Sequence, residues 1–360
     1  MSVGPGNLIG SPGWRGTAGS GGPRRSRRWA AVLAAAMMVP GVVACDDQPM
    51  APALGETLVL TIEGMDRVPQ EMGTLHVWVR GAGGTLHAGT VPPGEGPIPP
   101  LDFESPMDRP TGVVVTLERS ASAPATPGPS RLMEGEFQGS EARLAIEGAV
   151  TDGRPLQEFP GAHSLFTTSN NSEGYPSAEN AGLWLFTLIP SANEHGTREV
   201  KVTPLLPGWT YEGWVVWQGE PEVWISYGKF RPDEFSLLTS RDDTGTGPFS
   251  GAEDFRNAGV EDVPGEEWTT TEIADQLGIE LPGGFEVPLA LDAVDEGGRP
   301  LWHHVITVEP ASDLSEGPLE GDPFPLVVYE NGIGPGGPGV PRTIQRVSAG
   351  PVGRVRPAGI

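Results

Sequence analysis

Cysteine occurs once in 360 residues, at Cys45, and lysine only twice, at Lys201 and Lys229. A single thiol leaves no paired-cysteine zinc motif. Neither a GxSxG turn, an HExxH helix nor a phosphate-cradling glycine loop occurs, so hydrolase-elbow, metalloprotease and nucleotide chemistry lack their local signatures. The 6 histidines are scattered. Side chains alternate along a strand, so adjacent His303 and His304 point to opposite faces and cannot chelate one ion. His76 and His87 can meet across a hairpin, where strand histidines are usually structural. No metal and no cofactor is therefore expected.

Positive charge is scarce as well. The formal net charge is −24, and setting aside the five arginines that precede position 45 leaves 18 basic against 47 acidic residues, a charge of −29. Such a surface repels phosphate backbones and excludes nucleic acid as a partner. Breakers, by contrast, abound: 52 glycines and 39 prolines make a quarter of the chain. Short β-branched runs recur between them, the pattern of a loop-rich all-β protein.

Long apolar runs are confined to the amino terminus. Arg24, Arg25, Arg27 and Arg28 precede "AAVLAAAMMVPGVVA", which Pro40 and Gly41 interrupt, so it predicts an export signal rather than a spanning helix. The residues "VVAC", Val42 to Cys45, resemble the bacterial lipobox. That resemblance implies removal of residues 1–44 and a diacylglycerol thioether on Cys45, with the lipid bilayer as partner; multiple acyl chains anchor stably where one does not. Residues 45–56, polar and proline-bearing, read as a tether.

Five strand signals follow within a hundred residues: "TLVLTIEG" from Thr57, "TLHVWVRG", "GTLHAGTV", "GVVVTLE" and "EARLAIEG". They predict a small antiparallel sandwich over 57–150. The chain then repeats itself, with Trp78 matching Trp214, Gly89 matching Gly228, Glu118 matching Glu309, and Phe137 matching Phe324. A second sandwich is expected over 160–330, giving two tandem antiparallel β-sandwich domains.

The run "LPGWTYEGWVV", the late "TVEP" strand and a serine/proline/glycine loop are together similar to the extracytoplasmic domain of anti-sigma-K factors. The resemblance implies a β-sandwich outside the cytoplasmic membrane. It does not imply sigma-factor binding, because the zinc-binding module and spanning helix of that family have no counterpart here.

In an alternating strand Trp209, Tyr211, Gly213 and Val215 share one face, while Thr210, Glu212, Trp214 and Val216 share the other. Trp78 and Trp214, present in both copies, are expected in the core. Trp209, Trp217 and Trp224 have no counterpart in the first half and are candidates for a surface or ligand platform. An insertion at about 231–300 separates the second copy's strands. Ser250 with Glu253 and Gly259, and Thr269 with Glu272 and Gly278, mark two short helices in it. Its acidic pairs, including Asp242, Asp243, Glu253 and Asp254, are candidate binding residues, although their spacing fails the twelve-residue calcium loop and reads as solvated turns. Residues 331–360 carry four arginines and no acid, a disordered basic tail. The whole reads as a non-enzymatic, membrane-anchored envelope protein with a binding or sensory role toward another envelope protein or a cell-wall polymer. A hydrolase with its catalytic groups dispersed in sequence is the alternative.

Overall fold

A computed structural model describes residues 50–151, 153–156, 161–165, 183–189, 194–195, 203–232, 238–239, 289–311, 323–336, 340, 342–347 and 350–359. The chain divides into two compact units, one ending at Asp46 and one running from Asp47 to Ile360. The second unit is all β, built from antiparallel sheets.

Its first sheet has eight strands in the order β3-β2-β5-β6-β7-β18-β1-β4. These are β1 (Thr57–Glu63), β2 (Thr74–Gly81), β3 (Gly84–Val91), β4 (Leu101–Glu104), β5 (Gly112–Glu118), β6 (Arg131–Gln138), β7 (Glu141–Ala145) and β18 (Val352–Pro357). The sheet rolls until its two edges approach each other: a methyl group placed on Gly89 of β3 would stand 3.3 Å from the Leu101 side chain of β4. Rolling protects both edges from pairing with other chains.

A six-stranded sheet runs β13-β12-β11-β14-β15-β17, from β11 (Trp209–Trp217), β12 (Val223–Pro232), β13 (Leu238–Thr239), β14 (Trp302–Pro310), β15 (Val327–Gly332) and β17 (Gln345–Arg346). A four-stranded sheet holds β8 (Gly161–Leu165), β9 (Leu183–Ile189), β10 (Glu194–His195) and β16 (Arg342–Thr343) in the order β10-β9-β8-β16. Between Arg342 and Arg346 the chain passes from one sheet to the other, with Ile344 buried at the crossing.

The five strands legible in the sequence form as β1, β2, β3, β5 and β7, and β4 and β6 join them. β6 escapes the pattern because Gly135 interrupts it. That glycine is required: a Cβ there would sit 1.9 Å from the Arg143 carbonyl oxygen on β7.

Three expectations need correction. Residues 331–360 are not a disordered tail, since β18 lies between β7 and β1 and pairs with both. Composition hid its period of two: Gly353 and Val355 point inward while Arg354 and Arg356 point to solvent. Arg354 faces Arg143 across the ladder, and Glu141 lies 3.1 Å from Arg354 and 3.5 Å from Arg143, offsetting the repulsion. The tether does not extend to residue 56 either. Pro52 is buried and its carbonyl accepts from the Arg109 amide at 2.9 Å, and the Gly55 amide donates to Ser105 at 2.9 Å. Lastly, the two halves are not separately cored: one contiguous apolar cluster runs from Leu58 and Val77 through Trp209 and Tyr211 to Phe324 and Val355.

The expected helices at residues 250–259 and 269–278 lie outside the described residues.

Candidate functional site

The central strands of both halves are built alike. β2 pairs with β3 and β5, and β5 with β6; β11 pairs with β12 and β14, and β14 with β15. A bulge falls between Val77 and Trp78 in the first frame and between Gly213 and Trp214 in the second. A further register shift follows Val115 in one and Ile306 in the other.

On the face away from the apolar cluster each frame holds the same relay. Trp78 Nε1 donates to Thr116 Oγ1 at 2.8 Å, Thr116 Oγ1 donates to Glu118 Oε1 at 2.6 Å, and the Gly128 amide donates to the same oxygen at 2.8 Å. In the second frame Trp214 Nε1 donates to Thr307 Oγ1 at 2.9 Å, Thr307 Oγ1 to Glu309 Oε1 at 2.5 Å, and the Phe324 amide to Glu309 Oε1 at 2.9 Å. The direction of donation is fixed, because an indole can only donate and a carboxylate only accept. The first relay ties Gly128, ahead of β6, back to β5, and the second ties Phe324, ahead of β15, back to β14. A signal for the relay stands in the sequence as T-x-x-x-W (Thr74 to Trp78, Thr210 to Trp214) with a later T-x-E (Thr116 to Glu118, Thr307 to Glu309).

The register also corrects one match. Thr116 faces Arg131 where Thr307 faces Val327, so Phe324 is the counterpart of Gly128, not of Phe137. Both amides cap the same carboxylate position.

Trp78 and Trp214 are buried, at 1% and 3% exposure, outside the large apolar cluster, and Trp214 packs with Val216 and Val305 in a smaller one. Trp209 is corrected: it is fully buried, packs on Phe324 with ring centroids 5.6 Å apart, and donates from Nε1 to the Arg131 carbonyl at 2.8 Å. It thus closes the joint between the halves, where Gly208 also abuts Ser130. Its position is unmatched in the first half because a joint exists only once. Trp217 packs on Trp302 at 5.7 Å, and Trp224 stands edge-on to Trp214 at 5.7 Å with its Nε1 donating to Glu222; both are half-buried. Cys45, Asp242, Asp243, Glu253 and Asp254 lie outside the described residues.

The two frames differ beside the tryptophan. In the first, His76 faces Thr90 across the ladder and Trp78 faces His87; in the second, the same register positions are Glu212 with Lys229 and Trp214 with Ser226. His76 and His87 do meet. His76 Nδ1 is 3.0 Å from His87 Nε2, and Thr90 Oγ1 is 3.5 Å from each of those nitrogens. His76 Nε2 is 2.9 Å from the Ser120 carbonyl oxygen, which can only accept, so that nitrogen donates. Burial, then the neighbouring His76, hold the His87 pKa down, while a hydrogen bond to the Gly89 backbone raises it.

His303 and His304 do lie on opposite faces. His303 Nδ1 donates to Glu330 Oε1 at 3.0 Å, a bond that, ahead of the Coulombic attraction of His303, holds the Glu330 carboxyl below its usual pKa. His304 is fully buried, and burial lowers its pKa to about 3. The unfolded chain therefore binds more protons between that value and 6.5, so stability is complete above pH 6.5 and falls as the pH drops. Between pH 7 and pH 5 the loss from this residue is expected to be about 2 kcal/mol. Denaturant midpoints measured at the two pH values test it: His304→Gln should remove that component, and equal pH dependence of wild type and variant would refute it.

A cavity of about 650 Å³ opens where the end of β1 meets the start of β15, floored by Ile62, Met65, Ile98 and Leu326 and flanked by Glu63 and Asp66. Among the described residues no three His, Cys, Asp or Glu side chains converge as metal ligands, and no helix is long and apolar enough to cross a membrane. The chain matches no protein-family model, no curated protein and no solved structure.

Proposed function

We propose that the chain is a lipid-anchored, non-enzymatic protein of the bacterial cell envelope, whose paired β frames present long loops to another envelope protein or to a cell-wall polymer. The observation that carries this reading is the duplicated latch. Two frames tie the chain ahead of the next strand, at Gly128 and at Phe324, by the same Trp-Thr-Glu relay, which suits a rigid scaffold for recognition. The likeness to the outer domain of anti-sigma-K factors agrees with this, as does the boundary between compact units at Asp46, immediately after the lipobox cysteine. Seven residues from Cys45 to Pro52 span at most about 25 Å, so a lipidated Cys45 would hold the body close to the bilayer. The hydrolase alternative has no observation in its favour among the described residues.

Anchoring is the testable core of the proposal. Cells fed a labelled fatty acid should incorporate it into wild-type protein and sediment that protein with membranes. Cys45→Ala should abolish both. A variant that still takes up label, or a wild type that takes up none, would remove the anchor and with it the proposed location.

A further inference from the structure

We propose that the cavity between the end of β1 and the start of β15 is a binding site for a small aromatic amine, its ring on the apolar floor and its ammonium group at Glu63 and Asp66. The site does not depend on the anchoring proposed above. Its basis is a seat that both frames possess and only one of them fills. The Leu117 amide donates to the Ser130 carbonyl at 2.9 Å in the first frame, and the Val308 amide to the Leu326 carbonyl at 2.9 Å in the second. Thr116 faces Arg131 as Thr307 faces Val327, so Ser130 and Arg131 correspond to Leu326 and Val327. In the first frame Gly208 closes over Ser130, and the Arg131 carbonyl accepts from the Trp209 indole. In the second, Leu326 and Val327 line a cavity of about 650 Å³, a size within the roughly 300–1,000 Å³ of small-molecule sites. A free aromatic ring suits this seat as the Trp209 ring suits the other.

The walls are set before any ligand arrives. Pro97, Pro325 and Pro351 line the cavity, and each ring holds its backbone at one φ. Asp66 bridges to Pro97, and the Arg67 amide donates to the Gly96 carbonyl at 2.8 Å, which joins the two flanking segments of the first frame. On the opposite side Glu309 holds the Phe324 amide, so the second relay fixes the chain that leads into Pro325 and Leu326. Met65 on the floor adds a thioether, a favourable contact for an aromatic ring.

The charge at the mouth selects the ligand. Glu63 and Asp66 are exposed, and among the described residues neither has an ion pair or a side-chain hydrogen bond. No lysine, arginine or histidine lines the cavity. The adjacent Arg67 is committed elsewhere, its guanidinium donating to the Glu95 carbonyl and lying against Gly94. An ammonium group at the mouth therefore meets carboxylates that lack a cation, whereas an acidic ligand meets their repulsion.

The test is calorimetric titration of the full chain with tryptamine and separately with indole-3-propionate, which keeps the ring and reverses the charge. Tryptamine should bind with one equivalent, at least tenfold more tightly than the acid. Glu63→Gln combined with Asp66→Asn, both at exposed positions that folding does not require, should weaken tryptamine at least fivefold and bring the two ligands to similar affinity. Thermal melting of the ligand-free variant verifies folding. Nuclear magnetic resonance of the tryptamine complex should show amide shifts at Met65, Ile98 and Leu326. No binding at millimolar tryptamine, equal wild-type affinity for the acid, wild-type affinity in the double variant, or shifts confined to other parts of the chain would each overturn the site.

Discussion

A chain ending at Gly350 is expected to lose the first sheet, although only ten residues are removed. Those residues include β18, which pairs with β1 from Leu58 to Glu63 on one side and with β7 from Ala142 to Ala145 on the other. Without it, β1 and β4 have no ladder to the rest of the sheet, and the backbone groups of β1 that faced β18 lose their partners. Val355, fully buried, leaves the apolar cluster as well, and Gly353, packed so tightly that a Cβ would stand 2.8 Å from Leu144, leaves a void. The combined loss is expected to take a large share of the roughly 5–15 kcal/mol that stabilises an ordinary domain. Denaturant unfolding followed by far-ultraviolet dichroism checks this. Val355→Asp, which buries an unpaired charge, should reproduce much of the effect in the full-length chain. Arg356→Gln, on the exposed face, should stay within about 0.5 kcal/mol of wild type. A truncated chain with the wild-type midpoint would show that β18 is dispensable.

How much of this was legible in the sequence depended on whether local pattern or global closure decided each residue. Leu58, Leu60 and Ile62 on β1, and Ala142 and Leu144 on β7, are buried by a period of two, while β2 and β5 are short apolar runs buried on both faces, and a short window of the sequence displays either pattern. β18 shows the same period as β1, yet its inward positions are Gly353, Val355 and Pro357, which carry little apolar signal, and its partners β7 and β1 lie about two hundred and nearly three hundred residues upstream. No local reading supplies such a partner. The tryptophans show the same division. Matching the halves rightly singled out Trp78 and Trp214 as buried, but the same logic assigned unmatched Trp209 to the surface, when an unmatched residue can equally seal the one joint that a doubled structure contains.

The histidine cluster was half legible. An eleven-residue separation within a hairpin allows His76 and His87 to meet, and the bulge between Val77 and Trp78 shifts the register by one, so that Trp78 faces His87 while His76 faces Thr90 rather than Gly89. A bulge is invisible to a strict period of two. The relay is written in the sequence as T-x-E downstream of a strand tryptophan, yet a hydroxyl and a carboxylate two residues apart carry no apolar period and name no partner for the indole.

That relay gives the second large expectation. Trp78→Ala and Trp214→Ala should each destabilise by roughly 3–5 kcal/mol, since each removes a buried indole and leaves a void. More informative is the separation of packing from hydrogen bonding. Trp78→Phe keeps most of the apolar area but removes the donor, while Thr116 can still donate to Glu118, so the cost in hydrogen bonding should be about 1 kcal/mol. Thr116→Val leaves the Trp78 indole N–H without its acceptor and Glu118 without one donor, and should cost about 1–3 kcal/mol, although the shape of the side chain is preserved. Thr307→Val should do the same to Trp214 and Glu309, with the larger penalty of the two because Glu309 is 1% exposed whereas Glu118 is only part-buried. The two relays share no partner, so Trp78→Phe and Trp214→Phe should add, whereas Trp78→Phe and Thr116→Val should not, because the second change removes a bond that the first has already broken. Denaturant midpoints of the singles and doubles measure both couplings. Additivity of Trp78→Phe with Thr116→Val would mean that the indole and the hydroxyl act independently, and the latch would then be no more than two neighbouring side chains.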